Sequence, residues 1–122
     1  SQPANCAPLH ASFQAGASGY VEAEFRPTIA EGTAIKRPIR LTEMLQALRN
    51  SDGGTVAINE EEIVDASLKL AASGIYVEPT CAHAAAAFAQ LSSDNKIDPG
   101  DETVVILTGT GLKATPFYAE QC

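Results

Sequence analysis

Apolar and polar positions in the second half of the chain alternate between strand and helix patterns. Residues 55–58 form a short apolar run that predicts a strand. Asn59, followed by three glutamates, predicts the start of a helix because a side-chain oxygen and negative charge both suit the free N–H groups there. The apolar positions continue to Gly74, where we expect the helix to end.

The pattern then repeats. Residues 75–77 predict a buried strand, residues 81–91 an alanine-rich helix opened by Pro79 and Thr80, and residues 103–107 a final strand. Strands that alternate with helices pair in parallel, since each crossover returns the chain to the same edge. The predicted fold class is therefore α/β, a three-layer sandwich with a mostly parallel sheet flanked by helices.

The first half of the chain is less regular. Asn5 predicts the cap of a helix through Gln14, with Pro8 tolerated in its first turn and Gly16 ending it. Residues 20–40 contain two prolines and a glycine and predict a long surface loop, whereas residues 42–50 predict a short amphipathic helix. We expect residues 1–122 to form a single domain.

Composition narrows the function classes. Hydrophobic residues make up 45% of the 122 residues, which is ordinary for a soluble protein, and no apolar run reaches the roughly 20 residues of a membrane helix. A net charge of −7 opposes attraction to nucleic acid, so neither nucleic acid nor membrane is an expected partner. The chain begins at Ser1 without a methionine or a secretory signal, and we expect an upstream segment to have been removed.

The three cysteines, Cys6, Cys81 and Cys122, include no C-x-x-C pair. Neither a disulfide framework nor a metal site is predicted, and the thiols are expected to be reduced in a cytoplasmic protein. Cys81 and His83 do not predict a nucleophile pair, because residues two apart on a helix point about 200° from each other. Packing roles are favoured for both, and a half-exposed helix position is favoured for His10.

Ligands of parallel sheets bind outside the carboxyl ends of the strands, which draws attention to the turns after Val77 and Leu107. The second turn, Ile-Leu-Thr-Gly-Thr-Gly-Leu-Lys over residues 106–113, resembles the closing strand and turn of threonine synthase-like enzymes. These are fold-type-II pyridoxal-phosphate enzymes of the tryptophan synthase beta-like superfamily. The resemblance continues, in order and spacing, through residues 77–80, the acidic helix start after Ile58, residues 39–48 and residues 5–9.

The resemblance implies that the chain is the C-terminal part of the large domain of such an enzyme. It places Thr108 where a hydroxyl hydrogen-bonds the pyridine nitrogen of pyridoxal 5′-phosphate, with Gly109 beside it and Glu78 in the cofactor wall. The alternatives are a threonine that merely starts a glycine turn and a glutamate that accepts bonds from the next helix. Thr80 is a further cofactor-binding candidate, although capping of that helix is the favoured interpretation.

A basic cluster, Lys36, Arg37 and Arg40, is a weak candidate for binding a substrate phosphate or carboxylate. Lys36 and Arg37 replace the glycine and asparagine that this family often carries before the proline, which leaves the substrate open. A solvated loop is the favoured alternative for this cluster.

In the family, a lysine holds the cofactor as a Schiff base and a glycine-rich loop cradles its phosphate, both upstream of the part seen here. The four lysines of this chain, Lys36, Lys69, Lys96 and Lys113, correspond to other parts of the fold. No catalytic residue is therefore predicted, and the chain alone is expected to bind no cofactor and to be inactive, with the remainder of the parent enzyme as its partner.

The resemblance implies a lyase of amino-acid biosynthesis that acts by elimination or replacement at the β or γ carbon, for example on O-phosphohomoserine. It does not separate threonine synthase from threonine dehydratase or cysteate synthase. The alternative is a stand-alone binding, regulatory or oligomerisation module derived from such an enzyme, with a homodimer formed through an exposed sheet edge.

Overall fold

The computed structural model describes residues 1–121 and shows an α/β protein with five α-helices and a two-stranded parallel sheet. Strands β1 (Gln2–Pro3) and β2 (Ala57–Ile58) pair in parallel, with Gln2 opposite Ala57. The helices are α1 (Pro8–Gln14), α2 (Leu41–Asn50), α3 (Glu60–Ala72), α4 (Pro79–Ser93) and α5 (Thr115–Glu120). Within residues 1–121, no helix is both long enough and apolar enough to cross a membrane.

The core lies between α3 and α4, which make the most extensive contact between any two elements of this part of the chain. Ile58 and Ile63 are fully buried there. The facing side of α4 is built from small residues, which allows the two helices to approach closely. The other core members are Ala30, Ala66, Val77, Cys81, Ala82, Ala86 and Ala87.

Helix α3 begins as predicted. The Asn59 side chain accepts a hydrogen bond from the Glu62 backbone N–H at 2.9 Å, and the Glu62 carboxylate accepts one from the Asn59 backbone N–H at 3.0 Å. This reciprocal capping box satisfies two N–H groups that the helix cannot pair. Gly74, at φ +87°, ends the element in a conformation that favours glycine.

Helix α1 differs from the prediction at its start. Asn5 lies in a short 3-10 turn, Ala4–Cys6, and its amide donates to the Pro27 carbonyl oxygen at 2.7 Å instead of capping the helix. The helix begins at Pro8, whose missing N–H is not needed in the first turn. Gly16, at φ +66°, follows its end as expected.

The predicted strands are shorter than the sequence pattern indicates. Only Ala57–Ile58 of residues 55–58 is a strand, and residues 75–77 contribute a single antiparallel bridge from Val77 to Thr110. The prediction that residues 75–77 are buried holds for Val77 alone, since Ile75 and Tyr76 are exposed.

The strand prediction for residues 103–107 is wrong in this chain. The segment has no regular secondary structure and makes no backbone hydrogen bond to any described residue. Val104 and Ile106 are 85% and 72% exposed. An apolar β-branched run becomes a strand only when a neighbouring strand supplies its hydrogen bonds. The three-layer arrangement accordingly stays a prediction.

The long loop is confirmed, because residues 20–40 contain no regular element except a 3-10 turn at Glu31–Thr33. The Glu60 carboxylate fixes its middle by accepting hydrogen bonds from the Thr28 hydroxyl at 2.7 Å and the Ile29 backbone N–H at 2.8 Å. Ala30 next to these contacts is fully buried in the core. These contacts therefore attach the middle of the loop to the first turn of α3.

Candidate functional site

The two turns singled out by the sequence lie side by side. The Glu78 backbone N–H donates to the Gly109 carbonyl oxygen at 3.2 Å, and the Gly111 N–H donates to the Tyr76 carbonyl oxygen at 3.0 Å. These bonds flank the antiparallel bridge between Val77 and Thr110. Residues 76–78 and 109–111 therefore lie side by side and form one edge. This edge adjoins the start of α4, which follows Glu78 directly.

Thr108 presents its hydroxyl at this edge. The residue is exposed, and its Oγ1 lies 3.2 Å from the Sγ of Cys81. The same sulfur accepts a hydrogen bond from the Gly109 backbone N–H at 2.7 Å. The hydroxyl is therefore held by the first turn of α4.

Glu78 is half-buried and directly precedes α4. Its carboxylate makes no capping hydrogen bond to the helix, which removes the alternative interpretation of this residue as an acceptor for the helix N–H groups. A Cβ atom at Gly109 would collide with this carboxylate. Glycine at position 109 thus allows the turn to approach Glu78 as closely as it does.

Thr80 does not cap α4, contrary to the favoured prediction. Its hydroxyl accepts a hydrogen bond from the Gly32 backbone N–H at 3.1 Å, and a Cβ atom at Gly32 would come within 2.9 Å of the Thr80 methyl group. The residue therefore attaches the long loop to the helix. Its role as a cofactor ligand stays a prediction.

The basic cluster does not converge on one site. Lys36 lies over the Phe25 ring at 5.9 Å from the centroid, and Arg37 lies over the Tyr20 ring at 5.0 Å. The two cations line different pockets, while exposed Arg40 approaches Glu43 at 4.0 Å. Cation–π contacts and an exposed ion pair position these side chains in the loop without creating a shared anion site.

Cys81 and His83 are both buried in α4 and have different partners, in agreement with packing roles. His83 Nδ1 lies 2.7 Å from the Ser1 hydroxyl, whereas its buried Nε2 has no hydrogen-bond partner among residues 1–121. Burial lowers the pKa of His83. His10 Nδ1 lies 3.0 Å from the Thr55 hydroxyl.

The two described cysteines are buried. Cys6 and Cys81 are free thiols and are 1% and 3% exposed, while Cys122 falls outside the described residues. Burial raises the pKa of the Cys6 thiol, an effect that nearby Lys36 partly opposes. No group of three or more metal-ligating side chains is found between residues 1 and 121.

Sequence reasoning missed Cys81 as part of this edge. It also missed Tyr118, whose hydroxyl donates to the Val77 carbonyl oxygen at 2.6 Å and whose pKa is raised by burial. The signal for Cys81 was present, because residues three apart on a helix share a face and Cys81 follows Glu78 by three. For Tyr118 the sequence carries no such signal, since its contact with Val77 depends on the chain reversal after residue 110.

One group at this edge, the Thr108 hydroxyl, suits one atom of pyridoxal phosphate, the pyridine nitrogen. The Cβ side of Gly109 is taken up by the Glu78 carboxylate. Among residues 1–121, Lys113 is the one lysine of the four that lines the pocket beside Glu78.

Comparison with known proteins shows the family to which the chain belongs. The family model described as "Pyridoxal-phosphate dependent enzyme" matches residues 1–109, which include Glu78 and Thr108. The threonine synthase of Methanocaldococcus jannaschii is 35% identical over 107 residues, which cover 87% of this chain and 26% of that protein.

Two further relatives give the same result. Threonine synthase 2, chloroplastic, of Arabidopsis thaliana is 32% identical over 93% of this chain and 22% of its own length. The threonine synthase of Methanosarcina acetivorans is 33% identical over 94% of this chain and 29% of its own length. The chain thus spans about a quarter of the length of the curated relatives it matches.

Proposed function

Because the chain belongs to the family of pyridoxal-phosphate dependent enzymes, we propose that it forms the C-terminal part of the large domain of a threonine synthase-like lyase. The parent enzyme acts in the cytoplasm on an amino acid by elimination or replacement at the β or γ carbon, for example on O-phosphohomoserine. One observation carries this proposal: Thr108 is an exposed residue beside the place where the turns after Val77 and Leu107 meet.

Thr108 is the partner of the pyridine nitrogen. When bound, pyridoxal phosphate supplies the electron sink that this class of reaction requires. A hydroxyl does not force the nitrogen to be protonated as a carboxylate does, so it moderates that sink. Elimination and replacement at the β or γ carbon suit a moderated sink better than reactions that need full withdrawal of charge.

Glu78 and Gly109 shape the wall beside the ring. The Glu78 backbone is fixed by its bond to the Gly109 carbonyl oxygen, and its half-buried carboxylate lies against the glycine. A larger residue at position 109 would displace the Glu78 carboxylate. Thr80 contributes indirectly, because it fixes the long loop next to this wall through Gly32.

The three cations of the loop, Lys36, Arg37 and Arg40, are proposed to take part in binding the substrate. Lys36 and Arg37 are exposed and positioned by aromatic rings, and Arg40 is exposed at the start of α2. They would attract the phosphate or carboxylate of a substrate through long-range charge rather than through a built pocket.

A lysine and a phosphate-binding loop from the rest of the parent enzyme complete the site. On that account the chain alone holds no cofactor and turns over no substrate. The test is the size of the native protein, measured by blotting a cell extract with an antibody raised against these 122 residues. We expect one band several times larger than 12.7 kDa, and a band at 12.7 kDa would overturn the fragment proposal.

The role of Thr108 is tested in that larger protein with Thr108→Val, which keeps the shape and removes the hydroxyl. A hydrogen bond worth roughly 1.4 kcal/mol predicts about tenfold lower turnover. Thr110→Val is the matched control, because its hydroxyl bonds only to the Leu112 backbone N–H among described residues. Equal turnover of the two variants would contradict the role of Thr108.

One observation favours a second candidate, a stand-alone binding or regulatory module that self-associates. The backbone groups of residues 103–107 are unpaired within residues 1–121, and their apolar side chains are alternately exposed. Such an edge pairs readily with a second copy. Sedimentation of the 122-residue chain and of Ile106→Lys tests this candidate: a dimer that the lysine dissociates would support it, and a monomer would exclude it.

A further inference from the structure

The Thr108 hydroxyl is held by a buried sulfur. Cys81 is 3% exposed, and its Sγ lies 3.2 Å from Thr108 Oγ1 and 2.7 Å from the Gly109 backbone nitrogen. A third polar atom, Glu78 Oε1, lies 3.9 Å away, at the limit of a hydrogen bond to sulfur. The Cys81 side chain of α4 therefore contacts two successive residues of the turn after Leu107, Thr108 and Gly109.

The sulfur contacts both residues through different groups. The Gly109 N–H can only donate, so the sulfur is its acceptor. In the contact with Thr108 Oγ1 either atom can be the donor, and Glu78 Oε1 is a second, more distant acceptor for the thiol proton. With either donor, the contact holds the Thr108 hydroxyl against the first turn of α4.

We propose that Cys81 is a positioning residue that fixes the rotamer of Thr108 and thereby the place of the Thr108 hydroxyl. The significance of this position rests on the proposed function, in which the hydroxyl pairs with the pyridine nitrogen. A side chain that is already held in one rotamer forms that bond without losing further conformational freedom.

The backbone bonds of the edge do not replace this contact. Glu78 to Gly109 and Gly111 to Tyr76 fix the main chain on either side of the bridge, but neither reaches the Thr108 side chain. Thr108 is exposed and has no other side-chain hydrogen bond among residues 1–121. Without the sulfur, its χ1 angle would be free to change.

The proposal is tested on the 122-residue chain without cofactor, so the result does not depend on the proposed function. Amide hydrogen exchange at Gly109 and three-bond couplings that report χ1 of Thr108 are measured by NMR in Cys81→Ala and Cys81→Ser. Cys6→Ala is the matched control, because that thiol is equally buried and has no side-chain hydrogen bond to any described residue.

For Cys81→Ala we expect about fivefold faster exchange at Gly109, the effect of one lost hydrogen bond, and averaged couplings at Thr108. Cys81→Ser should restore a single rotamer, because serine has the same donor and acceptor capacity. Cys6→Ala should change neither readout locally. Unchanged Gly109 exchange and a single Thr108 rotamer in Cys81→Ala would overturn the proposal.

The proposed function is examined separately by the turnover of Thr108→Val in the larger protein. If Thr108 proves irrelevant to turnover while the NMR results hold, the positioning by Cys81 stands and the cofactor assignment fails. If the NMR results fail while Thr108→Val loses turnover, Thr108 contacts the cofactor without assistance from Cys81.

Discussion

The helix pair α3 and α4 and the segment 103–107 both carry large apolar side chains, yet the structure buries those between the helices and leaves Val104 and Ile106 of the segment exposed. Ile63 in α3 is fully buried, whereas Ile106 in the segment is 72% exposed. A helix satisfies its own backbone and needs only a surface to pack on. A strand needs a neighbour for its hydrogen bonds, so the same apolar content gives no structure where that neighbour is lacking.

The two isoleucines give the largest expected contrast. Ile63→Ala removes a fully buried side chain and should lower the free energy of unfolding by about 2–5 kcal/mol, whereas Ile106→Ala should change it by less than about 0.5 kcal/mol. Urea denaturation followed by circular dichroism measures both. Similar losses in the two variants would mean that residues 103–107 are packed in solution.

Gly109→Ala tests the packing of the turn that follows residues 103–107 against Glu78. The added Cβ collides with the Glu78 carboxylate, which must change rotamer, and should cost about 1–1.5 kcal/mol, while Gly54→Ala should be nearly neutral because nothing lies near its Cβ position. Adding Glu78→Ala to Gly109→Ala should recover most of the loss in a double-mutant cycle. Purely additive effects would show that the collision is not the cause.

A smaller effect is expected at the start of α3. Asn59→Ala removes the capping box and should cost about 1 kcal/mol, with faster amide exchange at Glu62. Asn50→Ala, at the exposed end of α2, is the matched control and should have almost no effect. If both variants unfold at the urea concentration of the parent chain, the helix pair does not depend on its caps.

The smallest effect is a pH dependence in α4. Burial lowers the pKa of His83 below the ordinary value of 6.5, so the unfolded chain binds more protons at mildly acidic pH. The His83 contribution to stability is therefore complete above about pH 6.5 and is lost as the pH falls below it. Unfolding at pH 7.5 and pH 5.5 should differ less in His83→Gln than in His10→Gln, and equal differences would contradict this assignment.

Local signals predicted much of the fold. Asn59 and the glutamates after it indicated the start of α3, and Gly74 indicated its end, because caps and positive φ angles are set by neighbouring residues. The strand at residues 103–107 and the Asn5 cap failed for the opposite reason. Each depends on a distant partner, a second strand in one case and the Pro27 carbonyl in the other.

The candidate site was predictable to a similar extent. Thr108, Glu78 and Gly109 were chosen from two turns, and the structure brings all three together. Their meeting follows from the bridge between Val77 and Thr110, which no local pattern specifies. The sequence did not predict the ring contacts of the basic cluster. These contacts join Lys36 and Arg37 to Phe25 and Tyr20, which lie far from them along the loop.

The fixed middle of the long loop has an evolutionary consequence. Glu60 and Thr80 hold residues 28–32, so the 26-residue connection between α1 and α2 behaves as two shorter segments rather than one. Closing two short segments separately makes each nearly independent of changes in the other. Residues 34–40, which carry the basic cluster, can therefore accumulate substitutions and length changes that alter what the protein recognises while the core stays intact.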